Sequence, residues 1–371
     1  MWTQEEIENF RQRLKWEKEH KVDFVVSCST IQTQYDIGTN SLRLRLGGND
    51  NARWFNMNEW MMNQLADKCH IYKPYWDYLW ETGHKELLSK SINELIQDKE
   101  KRMVRTMGET ARALVSDQYR AIDNYDMVNF FLDTIAQLNE STDMDIIIER
   151  CEVTDKKVYL RAISNRLTDE IFGEVPRDVE GKPIRDGLQK GDIIHGGIQV
   201  SNSEVGCGSY RVEPLIFVVA CSNGLISDKA LHRRHIGKRL DEQQIDWSTK
   251  TQSLEDELLW NQLVDMICNT FNPDIFSSWV ESINKVAGEV IEEPMVVIDN
   301  VCRDYKQVFN KDSKEALYKR FAKYGLNRWG LVQSITDYAQ TKSFDTRVEM
   351  ERIGNEILLE KPLKVLERKE E

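Results

Sequence analysis

An α+β fold is predicted for this 371-residue chain, and three observations predict it. Four segments rich in β-branched and aromatic residues run together between residues 143 and 226, and amphipathic helical patterns lie before and after them. Strands that follow one another without intervening helices favour a mostly antiparallel central sheet over a doubly wound parallel one. The expected organisation is an N-terminal helix with small strands over residues 1–50, one α+β domain over 51–362, and a charged tail over 363–371.

The elements follow from local chemistry. Thr3 and Glu6 form a T-x-x-E capping box, and Ile7, Phe10 and Leu14 share one helical face, so a helix opens the chain and ends near Lys21. Asp23–Cys28 is β-rich, and Ser41–Leu46 alternates apolar with basic residues before Gly47-Gly48, as a half-buried strand entering a turn does. From Asn58 to about Glu140 the pattern predicts helices throughout. The strongest begins at Asp123 or Asn124 and puts Val128, Phe131, Leu132, Ile135 and Leu138 on one side. Strands are expected at Met144–Glu149, Lys157–Ile163, Ile193–Ser201 and Tyr210–Cys221. Between the second and third, residues 172–192 carry Pro176, Pro183, Gly173, Gly181 and Gly187 among charges, the composition of an exposed arm. Helices resume after Leu254, with Ser253 or Ser313 as N-caps and Pro273 and Pro294 as breaks.

Composition narrows the function classes. At 40% apolar and 30% charged residues the chain is neither collagenous, nor a disulfide scaffold, nor largely disordered. Fifty Lys+Arg against sixty-two Asp+Glu give −12, which argues against coating nucleic acid or membrane with the whole surface, so any such contact is local. Seven cysteines, odd in number and without a C-x-x-C pair, read as reduced, packed thiols. The opening Met1–Glu6 lacks the features of a signal peptide and no long apolar window occurs, so no membrane contact and a cytoplasmic location are expected.

Four stretches carry a resemblance. They are Thr110–Arg120 leading into Asp123-Asn124; Ser201-Asn202-Ser203-Glu204-Val205-Gly206; Ala220–Ile226 with His232 to His235; and Trp329–Tyr338. In this order they resemble the phage/plasmid-like "domain of unknown function 932" family over roughly residues 55 to 360, although Gln118 stands where the family's motif has arginine. The resemblance implies residence on phages and plasmids within a bacterial host cell, and no settled reaction.

The densest charge feature is Lys229, Arg233, Arg234, Lys238 and Arg239, five cations in eleven residues without an acid, with His232 and His235 among them. Arg102, Arg105 and Arg112 fall within about an 80° arc if their segment is helical, and Arg120 follows. Such arginines suit phosphate oxygens, so single-stranded DNA binding in mobile-element replication or recombination is the leading expectation. A solvated helical face is the bland alternative. Tyr119, Tyr210 and the cluster Tyr72, Tyr75, Trp76, Tyr78 and Trp80 are candidate stacking groups, the cluster more simply core packing. The shared trough formed by residues 102–120 and 229–239 is the spatial expectation on which this reading depends.

Other chemistry is weaker. His232 and His235, three apart, could share a helical face as metal ligands with Cys221, Cys207 or His195, giving a metal-dependent nuclease as an alternative, but the surrounding arginines disfavour a cation. Ser201, Asn202 and Ser203 with Gly206 and Gly208 could cradle a phosphate through backbone N–H groups. Ser222, Asn223 and Gly224 read first as a turn, with a nucleophilic Cys221 or Ser222 as the sharper reading. No catalytic residue, metal or cofactor is therefore assigned. Homo-oligomerisation, and a host-protein partner gripped by the acidic C-terminal helices, complete the expectations.

Overall fold

The alternation at Ser41–Leu46 becomes a strand whose leucines Leu42, Leu44 and Leu46 are buried while Ser41, Arg43 and Arg45 stand on the opposite, open face. That strand belongs to a computed structural model describing residues 1–47, 52–119, 122–172, 191–208, 210–219, 223–227, 231–233, 249–310 and 312–368. The chain begins with α1 (Gln4–His20), followed by β1 (Lys21–Ser27), β2 (Gln32–Asp36), β3 (Ser41–Leu46) and β4 (Arg53–Met57). Helices α2 (Glu59–Lys68), α3 (Lys73–Glu81) and α4 (Lys85–Leu95) precede the hairpin β5 (Lys101–Met107) and β6 (Thr110–Ser116). These six strands form the first sheet in the order β1-β5-β6-β4-β3-β2, antiparallel except for β4 beside β6. Its inner face buries Leu44, Phe55 and Val104 against Met61, Leu65 and Leu88 of the helices.

This sheet corrects two expectations. Residues 101–116 are strands, not helix, because β5 pairs with β1 from Lys21↔Met107 to Ser27↔Lys101 and turns back at Gly108, whose φ of 55° suits glycine. Basic residues at 102, 105 and 112 satisfy a helical arc, yet partners distant in sequence decide the outcome. The boundary expected at residue 50 falls inside the same sheet.

The second sheet is antiparallel, as expected. After α5 (Asn124–Ser141) come β7 (Ile146–Val153), β8 (Val158–Ile171), β9 (Asp192–Asn202), β10 (Tyr210–Val218) and β11 (Asn223–Ile226). They lie in the order β11-β10-β9-β8-β7, and the short β12 (Leu231–Arg233) also pairs with β10. The proline- and glycine-rich arm expected near residues 172–192 lies largely outside the described residues. Asp123 caps α5 by accepting the Tyr125 N–H at 2.9 Å, and the apolar stripe of α5 packs with α1 on this sheet's main core.

Seven further helices complete the described chain: α6 (Thr249–Thr270), α7 (Pro273–Ala287), α8 (Pro294–Asp304), α9 (Ser313–Tyr324), α10 (Arg328–Ala339), α11 (Phe344–Leu359) and α12 (Leu363–Leu366). Pro273 and Pro294 open α7 and α8, where a missing N–H costs no hydrogen bond. Among the described residues no helix is long and apolar enough to cross a membrane. Burial pushes the Cys28 and Cys69 thiols up to about 11 and Cys151 up to about 12, so these sulfurs pack as thiols.

Helix α11 docks on the second sheet through a buried charged layer. Arg161 of β8 donates through Nη1 and Nη2 to both carboxylate oxygens of Glu351 and through Nε to Gln199 Oε1 at 2.6 Å. Arg347 adds a bond to Glu351 Oε1 at 3.0 Å, and Arg352 grips Glu213 of β10 at 2.7 and 2.6 Å. Burial would raise the Glu351 carboxyl; Arg161 and Arg347 outweigh it and hold it below the ordinary carboxylate value. Gly224 leaves the space this layer needs, since a Cβ there would sit 2.9 Å from Leu215 Cδ1 and 3.1 Å from Arg161 Nη1.

Gly330 has a similar role in the Trp329–Tyr338 stretch. Its N–H donates to the capping Asn327 side chain at 2.8 Å, and an added Cβ would lie 2.0 Å from the Gly325 carbonyl oxygen. Because the obstacle is backbone, Gly330→Ala is expected to lower stability by about 1–3 kcal/mol or more, read from the urea midpoint at unchanged slope. An unchanged midpoint would show that the turn at Gly325 yields.

Candidate nucleic-acid interface

The second and first sheets meet at one carboxylate. Glu204, in the loop after β9, is 2% exposed. Its Oε1 accepts the Lys21 ammonium at 2.6 Å and the Asn124 N–H, at the start of α5, at 2.7 Å, while Oε2 faces Arg112 Nη1 at 3.5 Å. Burial would raise this carboxyl, but Lys21 and Arg112, with the bonds from Lys21 and Asn124, hold it below its ordinary value of 4.5. Arg105 donates to the Glu204 carbonyl and pairs with Asp23 at 2.9 Å. The neighbouring Val205 carbonyl accepts Trp60 Nε1 at 2.8 Å and Gln64 Nε2 at 2.9 Å.

This geometry corrects the expected trough. Arg105 and Arg112 point to internal partners, and Arg102 pairs with Glu100 at 2.7 Å. Arg105 and Arg112 join the halves of the molecule, and among the described residues the three arginines present no common cationic groove. Of the other basic positions, Arg120, Lys229, Arg234, His235, Lys238 and Arg239 lie outside the described residues. Only Leu231–Arg233 of the run is described, as β12, with His232 opposite Arg211 and Arg233 opposite Tyr210. His232 is thus on a strand, which removes the helical spacing behind the metal reading. Among the described residues no three His, Cys, Asp or Glu side chains gather as a metal site requires.

The polar motifs are internal as well. Asn202 is fully buried and donates to the Ile122 carbonyl at 2.8 Å and to Asn124 Oδ1 at 2.7 Å. Ser203 Oγ accepts the Cys207 N–H at 3.0 Å, and the Gly206 N–H goes to the Tyr119 hydroxyl at 3.2 Å, so these donors are engaged and form no phosphate cradle. Ser201 is buried. Ser222, like Cys221, lies outside the described residues, while Asn223 and Gly224 begin β11 in place of the expected turn. Tyr210 and Trp76 are core; Tyr72, which precedes α3, and Tyr75 and Tyr78 on it are exposed, and there Lys73 already pairs with Asp77.

Cations without matching acids occur elsewhere. Lys157, at the start of the β8 hairpin arm, has no ion pair among the described residues, and its ammonium lies against Gly208. Burial first lowers the Lys157 ammonium from its ordinary value, with Cys207 opposing and Arg352 and Arg211 adding to the lowering. Arg211 reaches Glu213 only at 3.7 Å, and that carboxylate is already held by Arg352; the Arg211 Nε has no hydrogen-bond partner. Lys156 extends over the Trp60 ring at 5.2 Å. Sequence reading missed Lys157 and Arg211 because a lysine beside a turn and one arginine in a strand carry no periodic signal; only the pairing of β12 with β10 sets His232 opposite Arg211.

Comparison with family models, curated proteins and solved structures finds no match to this chain.

Glu204→Gln removes the charge but keeps the shape, leaving Arg112 buried without its Glu204 counter-ion and Lys21 with Asp123 alone at 3.1 Å. The expected loss is about 3–5 kcal/mol in chemical denaturation at neutral pH. Since the folded value lies below 4.5, this stabilisation is present above pH 4.5 and is lost as pH falls through the folded value. The gap between wild type and variant should therefore close in acid; a gap that persists there would point to packing and not to charge.

Proposed function

We propose that the protein binds single-stranded nucleic acid, with phosphates engaged at the end of the second sheet that carries Lys157, Arg211 and β12. The observation that carries this reading is the register Arg211↔His232, which sets β12, a strand that ends at Arg233 within the basic stretch of the sequence, beside the strand bearing an incompletely neutralised arginine. Lys157 beside it, held low first by burial, is also repelled by Arg352 and Arg211. A polyanion relieves that repulsion and releases counter-ions from its own backbone. The resemblance of four motifs to a phage and plasmid family gives the setting, replication or recombination of a mobile element.

Fluorescence anisotropy with single-stranded and duplex oligonucleotides of roughly 20 nucleotides, across a salt series, tests the reading. Wild type is expected to bind the single strand at low salt. Lys157→Glu with Arg211→Glu should weaken it and flatten the log–log salt slope by about 0.7 for each single-strand phosphate left without its cation. Absence of binding at low salt, or a slope unmoved by reversal at both positions, overturns it.

The depressed Lys157 ammonium supplies a separate check. A bound phosphate favours its charged form, so affinity should fall as pH rises from the lowered free value toward 10.5, and Lys157→Arg should remove that step. An identical profile in the variant would show that Lys157 does not touch the phosphate.

A further inference from the structure

The outer face of β2, β3 and β4 is open: α4 covers the opposite side, and Gln32, Gln34 and Asn56 are exposed while Arg43, Arg45 and Trp54 are partly so. Strand pairing puts Gln32 beside Arg45, Arg45 beside Trp54, Gln34 beside Arg43, and Arg43 beside Asn56. Arg45 Nη1 donates to Gln32 Oε1 at 2.7 Å, which orients that guanidinium across the strands. Arg43 makes no ion pair among the described residues, and its buried Nε has no hydrogen-bond partner. Arg43 and Trp54, with Gln34, Tyr35 and the turn at Ile37-Gly38, line a hollow of about 470 Å³. The one carboxylate of the hollow, Asp36, accepts the Gly38 N–H at 2.9 Å and is held by that turn.

We infer that this face is a stacking platform for unstacked bases of a single strand, with the indole of Trp54 and the hollow beside Arg43 receiving bases and Arg43 and Arg45 meeting the phosphates between them. The inference rests on the nucleic-acid reading above and adds what it lacks, a reason to prefer single strands. The residue types suit that ligand: an aromatic ring accepts any base, guanidinium groups stack or bind phosphate, and Gln and Asn side chains meet base edges. A duplex hides its base faces and gains only the charge. A protein partner would instead favour apolar area, and here Trp54, Tyr35 and Ile37 stand among Arg, Gln, Asn and Asp side chains.

The experiment uses the full-length protein and oligo(dT) beside a duplex of equal length. Trp54→Ala should lower single-strand affinity about tenfold while duplex affinity stays within about twofold, and Trp54→Phe should restore most of the loss. Arg43→Glu with Arg45→Glu should weaken both and flatten the salt slope. If wild type binds but these variants leave single-strand affinity and its excess over duplex unchanged, the platform is wrong while the reading at Lys157 and Arg211 stands. If wild type binds no oligonucleotide at low salt, both fail. Circular dichroism and urea midpoints matching wild type show that any loss is not unfolding.

Discussion

The arrangement of this molecule depends on one buried carboxylate. A lone charge at the depth of Glu204 would be expelled or neutralised, and it persists because two cations and a helix-terminal N–H converge on it. Lys21 starts β1, Arg112 lies on β6, Asn124 opens α5, and Glu204 itself follows β9, so one ion ties four elements that are far apart in sequence. The partially positive end of α5 contributes in the same direction. Neither half of the molecule can rotate against the other without leaving part of this cluster uncompensated.

A second charged layer, between Arg161, Glu351 and Arg347, sets how α11 lies on the second sheet. Both layers use arginine for geometric reasons, since its planar fork satisfies two acceptors at fixed angles. Chemical appearance and location therefore separate in this chain. Arg105, Arg112, Arg161 and Arg347 would each look like phosphate ligands on a charge plot, and each is committed to an internal acceptor. In a molecule with net charge −12, the informative cations are those whose nearest acid is already taken, and Arg211 is one.

Local chemistry made much of the fold legible. The Thr3 capping box, the Asp123 cap, the Ser41–Leu46 alternation and the antiparallel run from β7 to β10 all depend on neighbours within a few residues or on strands consecutive in sequence. The β5–β6 hairpin was not legible, because its reason for being a strand is β1, some eighty residues earlier. The candidate site shows the same division. The basic run is visible as composition, but its neighbour Arg211 depends on the pairing of β12 with β10, and the engaged state of Arg105 and Arg112 depends on Glu204. Residue type predicts capability; only partners reveal whether that capability is free.

The Glu204 anchor also decides which part of the first sheet stays open. Val205, fixed between Trp60 and Gln64, packs on Ala113 and Val115 and so closes the outer face over β6. β4 pairs with β6 through Asn56↔Thr110 and Met57↔Ala111. On β4, β3 and β2 the outward positions are Arg, Gln, Asn, Ser41, Asp36 and a single Trp, nearly all of which lose nothing by remaining in water. The same loop runs on to Gly208, which lies against Lys157. One anchored segment thus touches both the first sheet, at Val205, and Lys157 of the second. A flexible ligand touching both would meet surfaces already positioned, and would bind without the cost of ordering the protein first.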